Sequence, residues 1–318
     1  MKKYPVQLSY IAKSAIWGGT RLAEDWGKTG EGDNIAEAWE LSVREKEMSR
    51  VLNGEARGMT VAEYIEAVGA EAVGPSYRIG ERFPLLVKLI DARDRLSVQV
   101  HPDDDYASRV EGDSGKTEMW YIVDAQKDAT IVYGLADGVS GEEFARSVAD
   151  GRIQQSMRTV PVRAGESYFI PAGMVHAIGA GILIAEIQQN SDWTYRVWDY
   201  DRRGSDGSLR PLHTEKALDV IRPFSAEEIE AIQFANGREE ELLSNSRYFK
   251  VRRCEINGTR ELVATERSFV SVLCVKGSGT LTFEGEDYPI SRGDSYLLPA
   301  GMGRCDAGGE MTLICSEI

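Results

Sequence analysis

The sequence predicts a mainly β protein with a few short helices inserted between its strands. Three observations carry that prediction. Short runs of branched and aromatic residues such as "RLSVQVH", "EMWYIVDA" and "ATIVYG" recur along the chain and are closed by turn residues. Glycine is abundant, 32 of 318 residues, as suits a chain of many tight turns. One β unit is written twice: "VPVRAGESYFIPAGMVH" at 160–176 returns as "YPISRGDSYLLPAGMGR" at 288–304.

The length suits two modest domains, and an apolar content of 42% lets each bury a core. A formal net charge of −14 argues against nucleic acid as a partner, because no basic excess is there to neutralise phosphates. It leaves room for a small phosphorylated ligand held by a few local cations. The start, "MKKYPVQLSYIAKS", has no apolar stretch of the kind a secretory signal needs. The longest apolar run, around "AIGAGILIAEI", is well short of the ~20 residues of a membrane helix, so no membrane association is expected. Cys254, Cys274, Cys305 and Cys315 form no CxxC pair, which suggests reduced thiols in a cytoplasm.

Taken in order, Thr60 and Glu63 have capping-box spacing and predict a helix over "TVAEYIEAVG" (60–69). Ser140 and Glu143 do the same for "SGEEFARSVADG" (140–151), with Gly151 as its stop, and Ser225 and Glu228 for "SAEEIEAIQF" (225–234). "GILIAEIQQNS" and "WTYRVWDY" read as a pair of strands. From residue 248 on, "YFKVRRCEI", "SFVSVLCVKG", "GTLTFEG", "DYPISRGDSYLLPAG" and "MTLICSEI" read as short strands between Gly-containing turns, the pattern of a sandwich or jelly roll. The third helix is the expected bridge between a first domain, 1–238, and a second, 239–318.

In the repeated unit Gly165 is followed by Pro171, Gly173 and His176. That spacing resembles the second conserved motif of the cupin family. The resemblance implies two cupin, or jelly-roll, barrels, and a metal site with further ligands on an earlier strand. "LSVQVHPDD" offers Gln99 and His101, two positions apart and so on one face, with Ser97 on the same face. "GKTEMWY" adds Glu118, with Lys116 two positions before it. Gln99, His101, Glu118 and His176 then form a mixed nitrogen and oxygen set suited to Zn²⁺, and also to Fe²⁺, Mn²⁺ or Co²⁺. A lone strand histidine is more often a core or surface residue than a ligand. Here two of the three histidines fall at cupin positions, and the third, His213 in "LRPLHTE", reads as structural.

A longer series of segments is more specific. "FPLLVKLIDARDRLSVQVHPDDDYA", "GKTEMWYIVDA", "PAGMVHAIGAGILIAEIQQNSDWTYRVWDYDR" and "LHTEKALDVI", with "IWGG" at 16–19 and "AEAWELS" at 36–42, are similar to type I mannose-6-phosphate isomerase in its short bacterial form. The similarity covers most of 10–222 in order; after 240 only general cupin character remains. Ala36 and Arg44 depart from the family pattern, outside the ligand set. The resemblance implies a metal-dependent interconversion of mannose 6-phosphate and fructose 6-phosphate, with one metal per chain, zinc first among the divalent ions. It places the family's metal ligands on Gln99, His101, Glu118 and His176, its catalytic arginine on Arg196 in "SDWTYRV", and other active-site positions on Lys116 and Glu186. Ser97, Trp17 and Lys88 are the expected substrate contacts, with Arg95 and Lys13 as further cations for the phosphate. The expected partner is a small sugar phosphate; the residues carry no signal for an oligomeric state.

Such a reaction moves a proton between C1 and C2 through a cis-enediol. A cation and a guanidinium stabilise the developing oxyanion, and Arg196 suits this because arginine stays protonated at any working pH. Either Lys116 or Glu186 can serve as base, a lysine beside a metal with a lowered pKa or a barrel carboxylate with a raised one. Two alternatives stand beside the isomerase. One is another cupin metalloenzyme, such as an Fe²⁺ oxygenase or a different sugar-phosphate isomerase. The other is a non-catalytic sugar-binding cupin. The oxygenase relies on three histidines where this chain offers two, and the binding protein would have lost ligands that this chain keeps. In the second copy of the repeated unit Arg304 stands where His176 does, a cation that repels a divalent ion. That half is therefore expected to be metal-free, with Cys274 and Cys305 as apolar fillers.

Overall fold

The computed structural model describes residues 1–32, 34–204, 207–236 and 241–318. Among these residues the strands pair antiparallel and form sheets of seven, six, five and two strands. No helix among them is long and apolar enough to cross a membrane.

The six-stranded sheet runs in the order Ser167–Ile170, Glu118–Ala125, Ile182–Gln189, Leu85–Ala92, Glu37–Leu41, Ile11–Lys13. Leu85–Ala92 and Ile182–Gln189 are buried along their whole length because both faces are covered. Ile182, Ile184, Ile90, Trp120 and Ile122 fill a core on one side. Leu183, Ala185, Ile187, Val87, Leu89 and Met119 fill a core on the other. With side chains alternating every residue, Lys88, Glu118 and Glu186 fall on the first of these faces. The five-stranded sheet, Met157–Pro161, Thr130–Leu135, His176–Ile178, Val98–Val100, Tyr195–Trp198, covers that same core with Ile131, Tyr133 and Ile178. Its back, through Val98, Val100, Tyr195 and Val197, packs on Phe144 and Ala217 of the helices Gly141–Ala149 and Thr214–Val220.

The seven-stranded sheet orders Val6–Leu8, Ser295–Leu298, Val270–Phe283, Gly303–Glu317, Lys250–Ala264 and Leu242–Asn245, with Glu286–Ser291 on the edge of Val270–Phe283. It has its own core, which contains all four cysteines as buried free thiols. It packs against the six-stranded sheet through Phe249, Val251, Leu273 and Ile314. Its first strand, Val6–Leu8, comes from the other end of the chain and pairs with Ser295–Leu298.

The capping boxes form at Thr60–Glu63 and Ser140–Glu143. At the head of Ala226–Asn236, Glu228 N–H donates to Ser225 Oγ at 3.1 Å and Ser225 N–H to Glu228 Oε2 at 2.9 Å. Three α-helices absent from the sequence reading are the single turn Arg21–Glu24, Asp104–Glu111, capped by Asp103 accepting from Tyr106 N–H, and Thr214–Val220.

Three expectations are corrected. "GILIAEIQQNS" and "WTYRVWDY" do not pair: Ile182–Gln189 lies between Leu85–Ala92 and Glu118–Ala125, while Tyr195–Trp198 pairs with Val98–Val100 in the other sheet. The chain changes sheets at 190–194, where Gln188 Nε2 donates to Ser191 O at 2.6 Å. The C-terminal strands are long rather than short, 15, 14 and 15 residues for Lys250–Ala264, Val270–Phe283 and Gly303–Glu317. Glycines read as turns lie inside them, because a Cβ at Gly277 or Gly279 would come within 2.0 or 2.1 Å of a neighbouring strand's carbonyl oxygen. The third correction concerns the repeated turn. It is built alike twice, with Gly173 and Gly301 at φ +87° and +71°, and Met174 and Met302 N–H donating to Pro171 O and Pro299 O. Arg304, however, faces solvent and pairs with Glu261 at 3.2 Å, while its neighbour Cys305 turns inward. It is its outward direction, not its charge, that keeps it from the interior.

A buried ion pair ties the two halves. Lys28 Nζ lies 2.7 Å from Glu40 Oε1, on the six-stranded sheet, and donates to Gly293 O at 2.6 Å in the C-terminal sheet's turn. Removing one partner strands the other's charge. Lys28→Met is expected to cost about 3–5 kcal/mol in chemical denaturation at pH 8, and Lys28→Met with Glu40→Leu to recover most of it. A single variant as stable as the parent would contradict this.

Candidate metal centre and active site

The turn at 171–175 delivers His176 to the head of His176–Ile178, beside Val98–Val100, opposite Gln99. His101 follows that strand directly, and Glu118 opens Glu118–Ala125 on the facing sheet. All three of His101, Glu118 and His176 are buried, and their ligand atoms lie within 4.8 Å of one another. His101 Nε2 is 3.2 Å from His176 Nε2 and 3.3 Å from Glu118 Oε2; His176 Nε2 is 3.4 Å from Glu118 Oε1.

The protons of this cluster can be located from its surroundings. His101 Nδ1 faces Trp193 O at 2.9 Å and His176 Nδ1 faces Met174 O at 2.8 Å. A carbonyl oxygen can only accept, so each Nδ1 carries the hydrogen and each Nε2 presents a lone pair. Both Glu118 oxygens are buried without a hydrogen-bond partner among the described residues. Four lone-pair atoms thus converge with no proton between them, an arrangement that fits a cation. Burial, and then Lys116, push His101 down to about 3; burial also lowers His176. For Glu118, burial acts upward, but the carboxyl is held well below its usual range, with the Lys116 ammonium foremost among the groups that lower it. Gln99 Nε2 stands 3.3 Å from His176 Nε2. Turning that amide over presents its oxygen instead and adds a further donor to the set.

A cleft of about 390 Å³ opens beside the cluster. Lys116, with Nζ 3.1 Å from Glu118 Oε2, lines it. So does Glu186, whose Oε2 accepts from Trp120 Nε1 at 3.0 Å while its buried Oε1 has no hydrogen-bond partner among the described residues. Burial, and then Glu118, raise the Glu186 pKa. Lys88 sits 3.4 Å from both Glu186 and Glu37. Arg196 donates from Nη1 to Pro211 O at 2.8 Å, and its buried Nε has no partner among the described residues.

Two matches agree with this geometry. A model of the type I phosphomannose isomerase catalytic domain matches residues 6–129, and a mannose-6-phosphate isomerase cupin-domain model matches 238–318. A mannose-6-phosphate isomerase of Bacillus subtilis (strain 168) is 38% identical over 323 residues, covering 100% of both chains. The chain belongs to the type I mannose-6-phosphate isomerase family. A relative of that name from Streptococcus mutans is 36% identical over 98% of each chain. The crystal structure of the mannose 6-phosphate isomerase from Bacillus subtilis superposes with a TM-score of 0.90 at 36% identity over 100% of both chains. A phosphomannose isomerase from Salmonella typhimurium, at 16% identity and a TM-score of 0.80, shares the fold.

Of the residues expected from the family resemblance, Gln99, His101, Glu118 and His176 come together, and Lys116, Glu186, Arg196, Trp17 and Lys88 line the adjoining cleft. Ser97 is buried at the head of its strand and is not among the cleft-lining side chains. Lys13 is engaged with Glu47 and Arg95 stacks on Tyr200, and neither is among the side chains that line the cleft. The sequence reading assigns no role to Glu37, Arg210 and Lys216 and reads His213 as structural; all four are on the cleft wall. Glu37 and the last two lie in "AEAWELS" and "LHTEKALDVI", segments that carried the resemblance without a role for these side chains.

The neutral imidazoles set a pH dependence. The unfolded chain protonates them below about 6.5 while the fold resists, so it binds more protons and the fold loses stability as pH falls from 6.5 toward 3, at up to about 1.4 kcal/mol per pH unit for each imidazole. The depressed Glu118 acts in the same direction below its ordinary pKa. Chelator-treated protein is expected to unfold at lower denaturant at pH 5 than at pH 7, and His101→Asn to shallow that slope. A stability that is flat or rising toward pH 5 would contradict the assignment.

Proposed function

We propose that the chain interconverts mannose 6-phosphate and fructose 6-phosphate, with Zn²⁺ held by Gln99, His101, Glu118 and His176. The observation that supports this most is the protonless knot of donor atoms at the edge of a cleft that also holds Lys116, Glu186 and Arg196. Relatives that match the whole chain carry that activity in their names. When bound, the metal supplies positive charge that lowers the energy of a nearby oxyanion.

The remaining work falls to side chains. Glu186 acts as the base: its Oε2 is fixed by Trp120, its Oε1 has no hydrogen-bond partner among the described residues, and burial raises its pKa. It takes the proton from C2 of the aldose and returns it to C1, while Lys116 gives a proton to O1 and recovers one from the O2 hydroxyl as the carbonyl passes from C1 to C2. Lys116 donates to a sugar oxygen from beside Glu118. Arg196 holds the enediolate oxygen, using the Nε that has no partner among the described residues. Lys88 balances the charge of Glu37 and Glu186. The phosphate lies toward Arg210 and Lys216, each steadied by a carboxylate, Asp199 at 3.3 Å and Glu111 at 2.6 Å. We read the six- and five-stranded sheets as one cupin barrel within 1–238, and the seven-stranded sheet as a second, metal-free barrel of 239–318 that borrows Val6–Leu8.

The test is a coupled NADPH assay on mannose 6-phosphate, with and without a chelator, beside elemental analysis. Turnover is expected to vanish on chelation and return with zinc, at one metal per chain. His101→Ala and His176→Ala should lose metal and activity together, whereas Cys305→Ser keeps both. Arg196→Lys should keep the metal and lose about a hundredfold in kcat, with KM little changed, as removal of an oxyanion contact does. Full metal occupancy in His176→Ala, or near-parental kcat in Arg196→Lys, would overturn these roles.

A further inference from the structure

We infer that His213 is a positioning residue for Arg196, its neutral ring clasping the arginine's backbone at the edge of the cleft. The inference rests on the isomerase reading for the role of Arg196. Tyr195–Trp198 ends its sheet and, among the described residues, pairs on one side only, with Val98–Val100. An edge strand leaves alternate backbone groups without a strand partner. At Arg196 both are taken by His213. Arg196 N–H donates to His213 Nδ1 at 3.2 Å, and His213 N–H donates to Arg196 O at 2.8 Å. Two residues earlier, Pro211 O accepts from the guanidinium Nη1 at 2.8 Å. One short segment therefore grips Arg196 at its backbone and at its tip.

The clasp is itself anchored. His213 precedes Thr214–Val220, and its carbonyl accepts from Ala217 N–H at 2.9 Å. Ala217 is buried in the core behind the five-stranded sheet. Lys216 of the same helix holds Glu111, at the end of Asp104–Glu111, at 2.6 Å.

Because Nδ1 accepts, it carries no proton, and the ring is the Nε2–H tautomer. A second proton would set N–H against N–H and open the clasp. The charged and titratable groups that face the ring are Arg196 and Tyr195 from the strand, Lys216 from the following helix, and Glu111 from Asp104–Glu111. Burial, then Arg196 and Lys216, hold the His213 pKa below its ordinary value, against the opposite pull of Glu111. Protonation of His213 then removes turnover on the acid side, in addition to protonation of the base Glu186, without loss of the metal.

Two full-length, zinc-loaded variants separate positioning from a merely structural role. His213→Leu removes the acceptor and keeps the bulk. His213→Asn puts a non-titrating oxygen near the position of Nδ1. Loss of the clasp is expected to lower kcat about tenfold in His213→Leu with KM within about threefold, and His213→Asn to recover most of it with the acid limb of the kcat profile moved to lower pH. Metal content is measured at each pH. A parental kcat in His213→Leu, or equal impairment in both variants, would overturn the inference. Nitrogen-15 NMR of the imidazole decides the clasp independently of turnover: an unprotonated Nδ1 and a protonated Nε2 at pH 7.5 are expected, and the reverse tautomer refutes it. A parent protein inactive on mannose 6-phosphate would count against the isomerase reading, while the NMR result still stands for or against the clasp.

Discussion

Repulsion between lone pairs is the constraint around which this site is organised. His101 Nε2, His176 Nε2 and both oxygens of Glu118 face one another at 3.2–3.4 Å with their hydrogens turned away. Buried acceptors without hydrogen-bond donors are costly, and of this set only the Glu118 carboxylate has a counter-charge, the ammonium of Lys116 at 3.1 Å. The fold nevertheless fixes each of them. Trp193 O and Met174 O decide both tautomers, Gly173 sets the turn that delivers His176, and the start of a fully paired strand holds Glu118. A cation at the centre converts all four repulsions into attractions, and the geometry is maintained by elements that do not depend on it.

The charge around the cluster follows from the two cores. A strand covered on both faces has no exposed side on which to carry a charge, so Lys88 and Glu186 would each be destabilising alone. They face the same interior and, with Glu37, form a chain of alternating sign. Lys116 does the same for Glu118. Glu37, Lys88 and Glu186 thus line the cleft together, while Lys116, Arg210 and Lys216 reach it from partners, Glu118, Asp199 and Glu111, that stand behind its lining.

Much of this was legible in the residues. The capping boxes announced three helices because their spacing is local chemistry. The convergence of His101, Glu118 and His176 was legible because the cupin resemblance marked the turn and the earlier strands, and strand alternation set the direction of their side chains. Glu37, Arg210, His213 and Lys216 were not, since their approach to the cleft depends on which strand is an edge and where residues 207–213 lie. The partner of "GILIAEIQQNS" was misread for a related reason: a strand pattern does not state its sheet. In the C-terminal sheet, glycines that permit close backbone approach look in sequence like glycines that permit turns. Arg304 shows the limit of comparing two copies by position, because a conserved turn still releases a different residue to the interior.

The account depends most on the identity of the donor set, and X-ray absorption spectroscopy of the zinc-loaded protein tests it directly. Two imidazoles, a carboxylate and an amide oxygen predict a first shell of nitrogen and oxygen only, with outer-shell scattering from two imidazole rings that falls to one in His176→Ala reconstituted at high zinc. Sulfur in the first shell would place the metal among the cysteines of the C-terminal core and contradict the site described here.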